Sequence, residues 1–235
     1  MKILAIDTAS EICSVALLED TTLINHVYTN DSNTHSVNLM PLIDKLLTEC
    51  NISINDIDLF ACDKGPGSFT GIRIGISTLK AFCDVTLKPC IGISSLKSLA
   101  YLVNDSSNSY VCSLIDAKHG NVYAGIFYKD KNETYHKVSD YFFDNIQNAI
   151  EKLKNVNKKI FFVGNASILY KDMIESELNN STDFITINSS AITIGIAAFY
   201  KWKLNYSLPL TPLYLKKSSA EILLEEKSKN ESRNI

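Results

Sequence analysis

Residues Lys64–Gly75 read KGPGSFTGIRIG, and four of the nine glycines in this 235-residue chain fall between Gly65 and Gly75. Glycine tolerates unusual backbone angles and close approach, so backbone freedom is concentrated at one strand-to-helix turn. Such a turn either holds a phosphate group or lets another backbone come near. Two nucleotide signatures fail on spacing. Gly71 is followed by Ile72 and Arg73, so the GK[ST] ending of a P-loop is missing, and Gly65, Gly67 and Gly71 are spaced GxGxxxG where a dinucleotide fingerprint needs GxGxxG. Backbone N–H groups at the start of the next helix leave weak anion binding open. In the alternative, Gly65 and Gly67 make a tight turn, while Gly71 and Gly75 bare a helix face in a stripe that continues through Thr78 and Phe82.

The rest of the pattern is α/β. Strands are predicted over Lys2–Asp7, Cys13–Glu19, Thr21–Tyr28, Asp58–Asp63 and Pro89–Ile93, with helices over His35–Cys50, from Ser68 or Thr70 to Asp84, and from Ser94 or Ser95 to Leu102. The polar stretch Asn104–Ser109 then separates two lobes. Beyond it the pattern partly restarts, with strands Tyr110–Asp116, Asn121–Tyr128, Tyr135–Phe143 and Lys159–Val163 and helices Ile146–Leu153, Ile168–Leu178 and Ala191–Leu204. Two βββαβα-like halves suggest a duplicated fold with lobes over 1–105 and 106–215 and a mobile tail over 216–235. Helix one carries Leu39, Met40, Leu42, Ile43, Leu46, Leu47 and Cys50 over an arc of about 160°, wider than the ~100° that lying on a sheet requires. The excess points to a second contact surface, which deeper burial in the same chain would also produce.

Six cysteines without a CxxC pair suit reduced thiols, and no run approaches the length of a membrane span, so a cytoplasmic protein is expected. A net charge of −3 argues against a broad surface for nucleic acid. The four histidines show no ligand spacing, which leaves no local zinc or iron site, and no GxSxG nucleophile turn occurs. Asp7, between the first two strands, is either a turn former or a carboxylate that acts through a metal-bound water in a nucleotide site.

These residues resemble a known family. The segments ILAIDTASEICSVAL (Ile3–Leu17), HSVNLMPLIDKLL (His35–Leu47), KGPGSFTGIRIGISTLKAF (Lys64–Phe82) and GISSLKSLA (Gly92–Ala100) are similar to those of the bacterial TsaB (YeaZ) family, with shorter matches at Ile115–Gly125, Phe161–Ala166 and Pro212–Ala220. The resemblance implies a two-lobed, actin-like fold of the ASKHA superfamily, with ribonuclease H-like halves. It implies a role in making threonylcarbamoyladenosine beside the anticodon of tRNAs that read ANN codons. In that system the TsaB protein is a non-catalytic partner of its paralogue TsaD, the transferase, with the ATPase TsaE joining them, and it touches tRNA only indirectly. The HxxxH metal pair of TsaD falls on Ser95 and Leu99 of this chain, and neither can hold iron or zinc. Ala9 stands for a glycine of the phosphate turn, and Gly164-Asn165 for an adenosine motif. The expected site is therefore a partner interface of His35, Leu39, Leu42, Ile43, Leu46, Gly71, Gly75, Thr78 and Phe82, which can self-pair as a homodimer. No catalytic residue, metal or cofactor is expected, and weak binding of ATP and magnesium at Asp7, Gly65, Gly67 and Gly164 stays open. The alternatives are a nucleotide-dependent enzyme of the sugar-kinase type and, behind it, a glycoprotease-like hydrolase.

Overall fold

A computed structural model describes residues 1–30, 35–105, 108–178, 181–185, 190–204 and 210–216. The expected tail over 216–235 lies outside the described residues apart from Lys216, as do Ser106 and Ser107 of the polar linker. The first lobe is a five-stranded sheet in the order β3-β2-β1-β4-β5, built from β1 (Lys2–Asp7), β2 (Cys13–Glu19), β3 (Thr22–Thr29), β4 (Leu59–Asp63) and β5 (Cys90–Ile93). The first three strands form an antiparallel meander, and β4 and β5 add in parallel. Alternation along β1 divides its side chains between two cores. Leu4 and Ile6 face α1 (His35–Glu49) and α2 (Phe69–Thr86), where Leu39, Ile43, Leu46, Ile72, Ile76 and Leu79 fill the space. Ile3 and Ala5 face the opposite side.

That opposite side is covered by α7 (Ala191–Lys203), from the far end of the chain, through Ala191, Ile194, Ala197 and Ala198. Small residues let it approach closely: a Cβ on Gly195 would stand 2.3 Å from Leu18 Cδ1. The short helix α3 (Ser95–Ala100) makes the reciprocal crossing, and its Leu96, Leu99 and Ala100 pack with Val111, Phe127 and Val163 of the second sheet. Ser98 on α3 and Thr193 on α7 meet through their hydroxyls at 2.7 Å. Chain position therefore does not decide which sheet these helices cover.

The second lobe repeats the plan with β6 (Tyr110–Asp116), β7 (Asn121–Lys129), β8 (Tyr135–Lys137), β9 (Phe142–Asn145), β10 (Ile160–Val163) and β11 (Thr182–Ile185), in the order β11-β10-β6-β7-β8, with β9 also paired to β7. Helices α4 (Ile146–Glu151), α5 (Asn165–Leu169) and α6 (Lys171–Glu177) cover one face. Three expectations need correction. The single strand over Tyr135–Phe143 is two strands on one neighbour, the helix over Ile168–Leu178 is α5 and α6 broken at Tyr170, and β11 had no counterpart in the sequence reading. Helix caps follow local chemistry: Ser68 accepts from the Gly71 N–H and Ser94 from the Lys97 N–H.

Candidate functional site between the lobes

The glycines of the opening segment serve close approach inside their own lobe. A Cβ on Gly71 would lie 1.8 Å from the Thr8 carbonyl oxygen, one on Gly75 2.6 Å from Thr8 Oγ1, and one on Gly67 2.4 Å from the Ala9 carbonyl oxygen. The β1–β2 turn thus rests on the first turns of α2. Two hydrogen bonds fasten it there: Thr8 Oγ1 donates to the Gly71 carbonyl at 2.7 Å, and the Ser68 N–H donates to the Ala9 carbonyl at 2.8 Å. Gly65 (φ +101°) needs a left-handed backbone as well, and a Cβ on it would meet Leu213 O and Ile72 Cδ1 at 2.7 Å.

The residues of the expected interface divide by burial. Leu39, Ile43, Leu46, Gly71 and Gly75 are buried in the first lobe, where α1 and α2 lie side by side on one sheet. Leu42 and Phe82 are partly covered by the same core, Phe82 stacking on Phe60 at 5.7 Å, and Thr78 is half-buried. His35 is buried in the wall of the inter-lobe cleft. What remains outward is different: Val37 and Met40 on α1, and Val85 with the following Leu87 at the end of α2.

Between the lobes lies a cleft of about 590 Å³. The β1–β2 turn and the Pro66–Ser68 loop form one wall, and the β6–β7 hairpin with Gly164 and Asn165 forms the other. Its lining includes the carboxylate Asp63 at the end of β4, and behind it Asp7 ends the adjacent parallel strand β1. Both are fully buried. Asp7 accepts from the Ala9 N–H at 2.9 Å, and Asp63 accepts from the Gly65 N–H at 2.7 Å and from Ser95 Oγ at 2.8 Å. Burial pushes the Asp7 carboxyl up to about 6. Burial, and then the Asp7 charge, hold Asp63 well above the usual carboxylate range. His35 Nε2 donates to the Ser10 carbonyl at 2.9 Å, since a carbonyl can only accept, and its buried Nδ1 has no partner.

The four positions expected to touch nucleotide fall around this cleft without forming a complete cradle. Gly67 and Gly164 are in opposite walls, whereas Asp7 and Gly65 are buried behind the lining. Gly164 (φ +100°) is held by packing, since a Cβ there would stand 2.2 Å from the Leu114 carbonyl oxygen. At the two positions that the resemblance aligns with a metal pair, Ser95 Oγ is bonded to Asp63 and to the Pro66 carbonyl, and Leu99 is a core residue. Among the described residues no group of three or more His, Cys, Asp or Glu side chains could hold a metal ion. Sequence reasoning missed Asp63, although the signal was present: like Asp7, it is a carboxylate closing an apolar strand immediately before a turn. No helix among the described residues is long and apolar enough to cross a membrane.

A family model described as "TsaD: tRNA N6-adenosine threonylcarbamoyltransferase" matches residues 22–223. The Bacillus subtilis protein named tRNA threonylcarbamoyladenosine biosynthesis protein TsaB is 34% identical over 178 residues, 76% of this chain and 77% of that one. The Escherichia coli protein of the same name is 38% identical over 58% of this chain and 59% of its own. In fold, YeaZ from Pseudomonas aeruginosa superposes with a TM-score of 0.73 at 23% identity over 91% of this chain and 99% of that one. A Listeria monocytogenes protein described as a putative N-acetylmannosamine kinase gives 0.54 at 11% identity over 87% and 100% of the two chains, which places the two-lobed architecture among actin-like ASKHA folds. The chain belongs to the TsaB (YeaZ) family.

Proposed function

We propose that this protein takes part in tRNA threonylcarbamoyladenosine biosynthesis as a non-catalytic subunit, binding and supporting a TsaD-like transferase that modifies the adenosine beside the anticodon of tRNAs reading ANN codons. The observation that carries the reading is chemical. Ser95 and Leu99 stand where the paralogous transferase has its metal histidines; one is bonded into the wall of the cleft and the other is buried in the core. The partner surface is the outward side of α1 and α2, with the TsaE-like ATPase in the same assembly, and the chain self-pairs there when alone. Val37 and Met40 are 67% and 50% exposed, apolar enough to dock and free of any duty in the core. Met40→Asp and Val37→Asp should each weaken copurification with the transferase by about tenfold or more while the melting temperature stays put. Undiminished binding by both folded variants would remove this surface from the proposal. Leu46→Asp and Gly75→Leu cannot serve as docking tests, because both positions are core.

A second reading, a nucleotide-dependent enzyme of the sugar-kinase type, draws on Asp63 in the cleft and Asp7 behind it. Calorimetry with ATP and magnesium separates the two. Tight saturable binding that disappears in Asp7→Ala supports the enzyme, whereas weak or absent binding favours the subunit.

A further inference from the structure

A cluster of cationic side chains gathers by the edge strand β5 of the first sheet, none of them lining the cleft. Lys201 on α7 donates through Nζ to the Gly92 carbonyl at 3.0 Å. Lys64, just past β4, lies against the same residue: a Cβ on Gly92 would be 3.0 Å from Lys64 Cδ. Two residues on, Ser94 caps α3 by accepting from the Lys97 N–H and lies 2.9 Å through Oγ from the Tyr141 hydroxyl. Above the Tyr141 ring stands Lys137 Nζ, 4.9 Å from its centroid. Both lobes thus contribute: the side chains of Lys64 and Lys201 meet at Gly92, Lys137 stands over the tyrosine that reaches Ser94, and Lys97 lies in the first turn of the helix that Ser94 caps.

Counter-charge is sparse. Asp140 is bound to Lys137 at 2.7 Å, and Asp130, which faces Lys97, is already engaged by His136 at 2.8 Å. Lys64, Lys97 and Lys201 are half-buried, so their repulsion is screened less than on an open surface. Its signature is reduced basicity: burial and then the Lys64 and Lys97 charges push Lys201 down to about 8, and burial with Lys137 pushes Lys64 and Lys97 down too. A chain that gathers four lysines against one strand end with only two carboxylates facing them has a place for an anion.

We propose that Lys64, Lys97, Lys137 and Lys201 form a binding site for a phosphate group at this seam between the lobes. The ammonium groups supply point charges and hydrogen-bond donors to phosphate oxygens. The group can be a free phosphate or pyrophosphate, or a phosphodiester of an RNA backbone. The site is independent of the cleft and of the docking surface proposed above.

Calorimetry of the full chain with pyrophosphate, near the pH of about 8 at which Lys201 titrates, tests it. Saturable binding is expected, with a buffer-dependent enthalpy that reports proton uptake as the bound anion restores the charge on Lys201. Affinity should fall at least about tenfold in Lys64→Gln and in Lys137→Gln, the latter an exposed position that leaves folding untouched. Repetition with tRNA as competitor identifies the source: displacement of pyrophosphate assigns the site to an RNA backbone and no displacement to a free phosphate, and either supports it. Absence of saturable binding by both pyrophosphate and tRNA, or binding unchanged in Lys137→Gln, overturns it.

Discussion

Two turns face each other across the cleft, and the fold uses them in opposite ways. In the first lobe the Asp7–Ser10 turn has no residue with positive φ, and it is fastened to α2 by contacts that leave no room for a Cβ at Gly67, Gly71 or Gly75. In the second, Lys118, His119 and Gly120 all have positive φ, at 67°, 55° and 76°, and a Cβ on Gly120 would meet nothing within 4 Å. Glycine thus serves close approach in one turn and backbone angle in the other. A loop of the first kind has little freedom to reshape around a ligand, because its carbonyls and hydroxyls are already spent on the helix beneath it. The open hairpin keeps its side chains on the surface, where Lys118 pairs with Asp116 at 3.0 Å.

The difference can be broken by substitution, most strongly in the first turn. Gly71→Ala forces a methyl against the Thr8 carbonyl and should destabilise by about 3 kcal/mol or more, read as a fall in the denaturant midpoint. A near-neutral result would mean that the turn and α2 are not in contact. Next in size is Asp7→Asn. Because the folded-state Asp7 carboxyl is raised to about 6, its charged form is disfavoured by folding; stability is lost as pH rises through that value and recovered as it falls. Asparagine keeps the acceptor for the Ala9 N–H, so the variant should be more stable by roughly 2 kcal/mol at neutral pH, an advantage that shrinks towards pH 4. A smaller effect is expected in the open hairpin, where Gly120→Ala should cost about 1 kcal/mol through its backbone angle alone. The smallest is Lys118→Ala, which should leave the denaturant midpoint unchanged, because the pair it breaks is exposed on the lysine side. If Gly120→Ala proved as damaging as Gly71→Ala, the contrast between the turns would fail.

Much of this architecture is legible in the sequence where a signal is local. The alternation of β1 and β2, the start of α1 at His35 and the caps at Ser68 and Ser94 all stand in short windows of chain. What escaped depends on partners distant in sequence. The wide arc of α1 suited either a second contact surface or deeper burial, and only the packing divides it: Leu39, Ile43 and Leu46 enter the core with α2 and the sheet below, while Met40 stays outside. The stripe through Gly71 and Gly75 gave correct notice of close packing but not of its partner, Thr8, 63 residues away from Gly71. Nothing near Ala191 says that α7 returns to the first sheet, and only that return brings Lys201 to Lys64. The four-residue strand β11 lies at a sheet edge beside a polar stretch, too short to show a period.

The central claim, that this chain supports threonylcarbamoyl transfer without performing it, is tested most directly by reconstituting tRNA modification from purified components with the chain, the transferase and the ATPase added or withheld. The account predicts no modified adenosine from this chain alone and a large loss when it alone is omitted. Threonylcarbamoyladenosine formed by this chain in the absence of the transferase would contradict it.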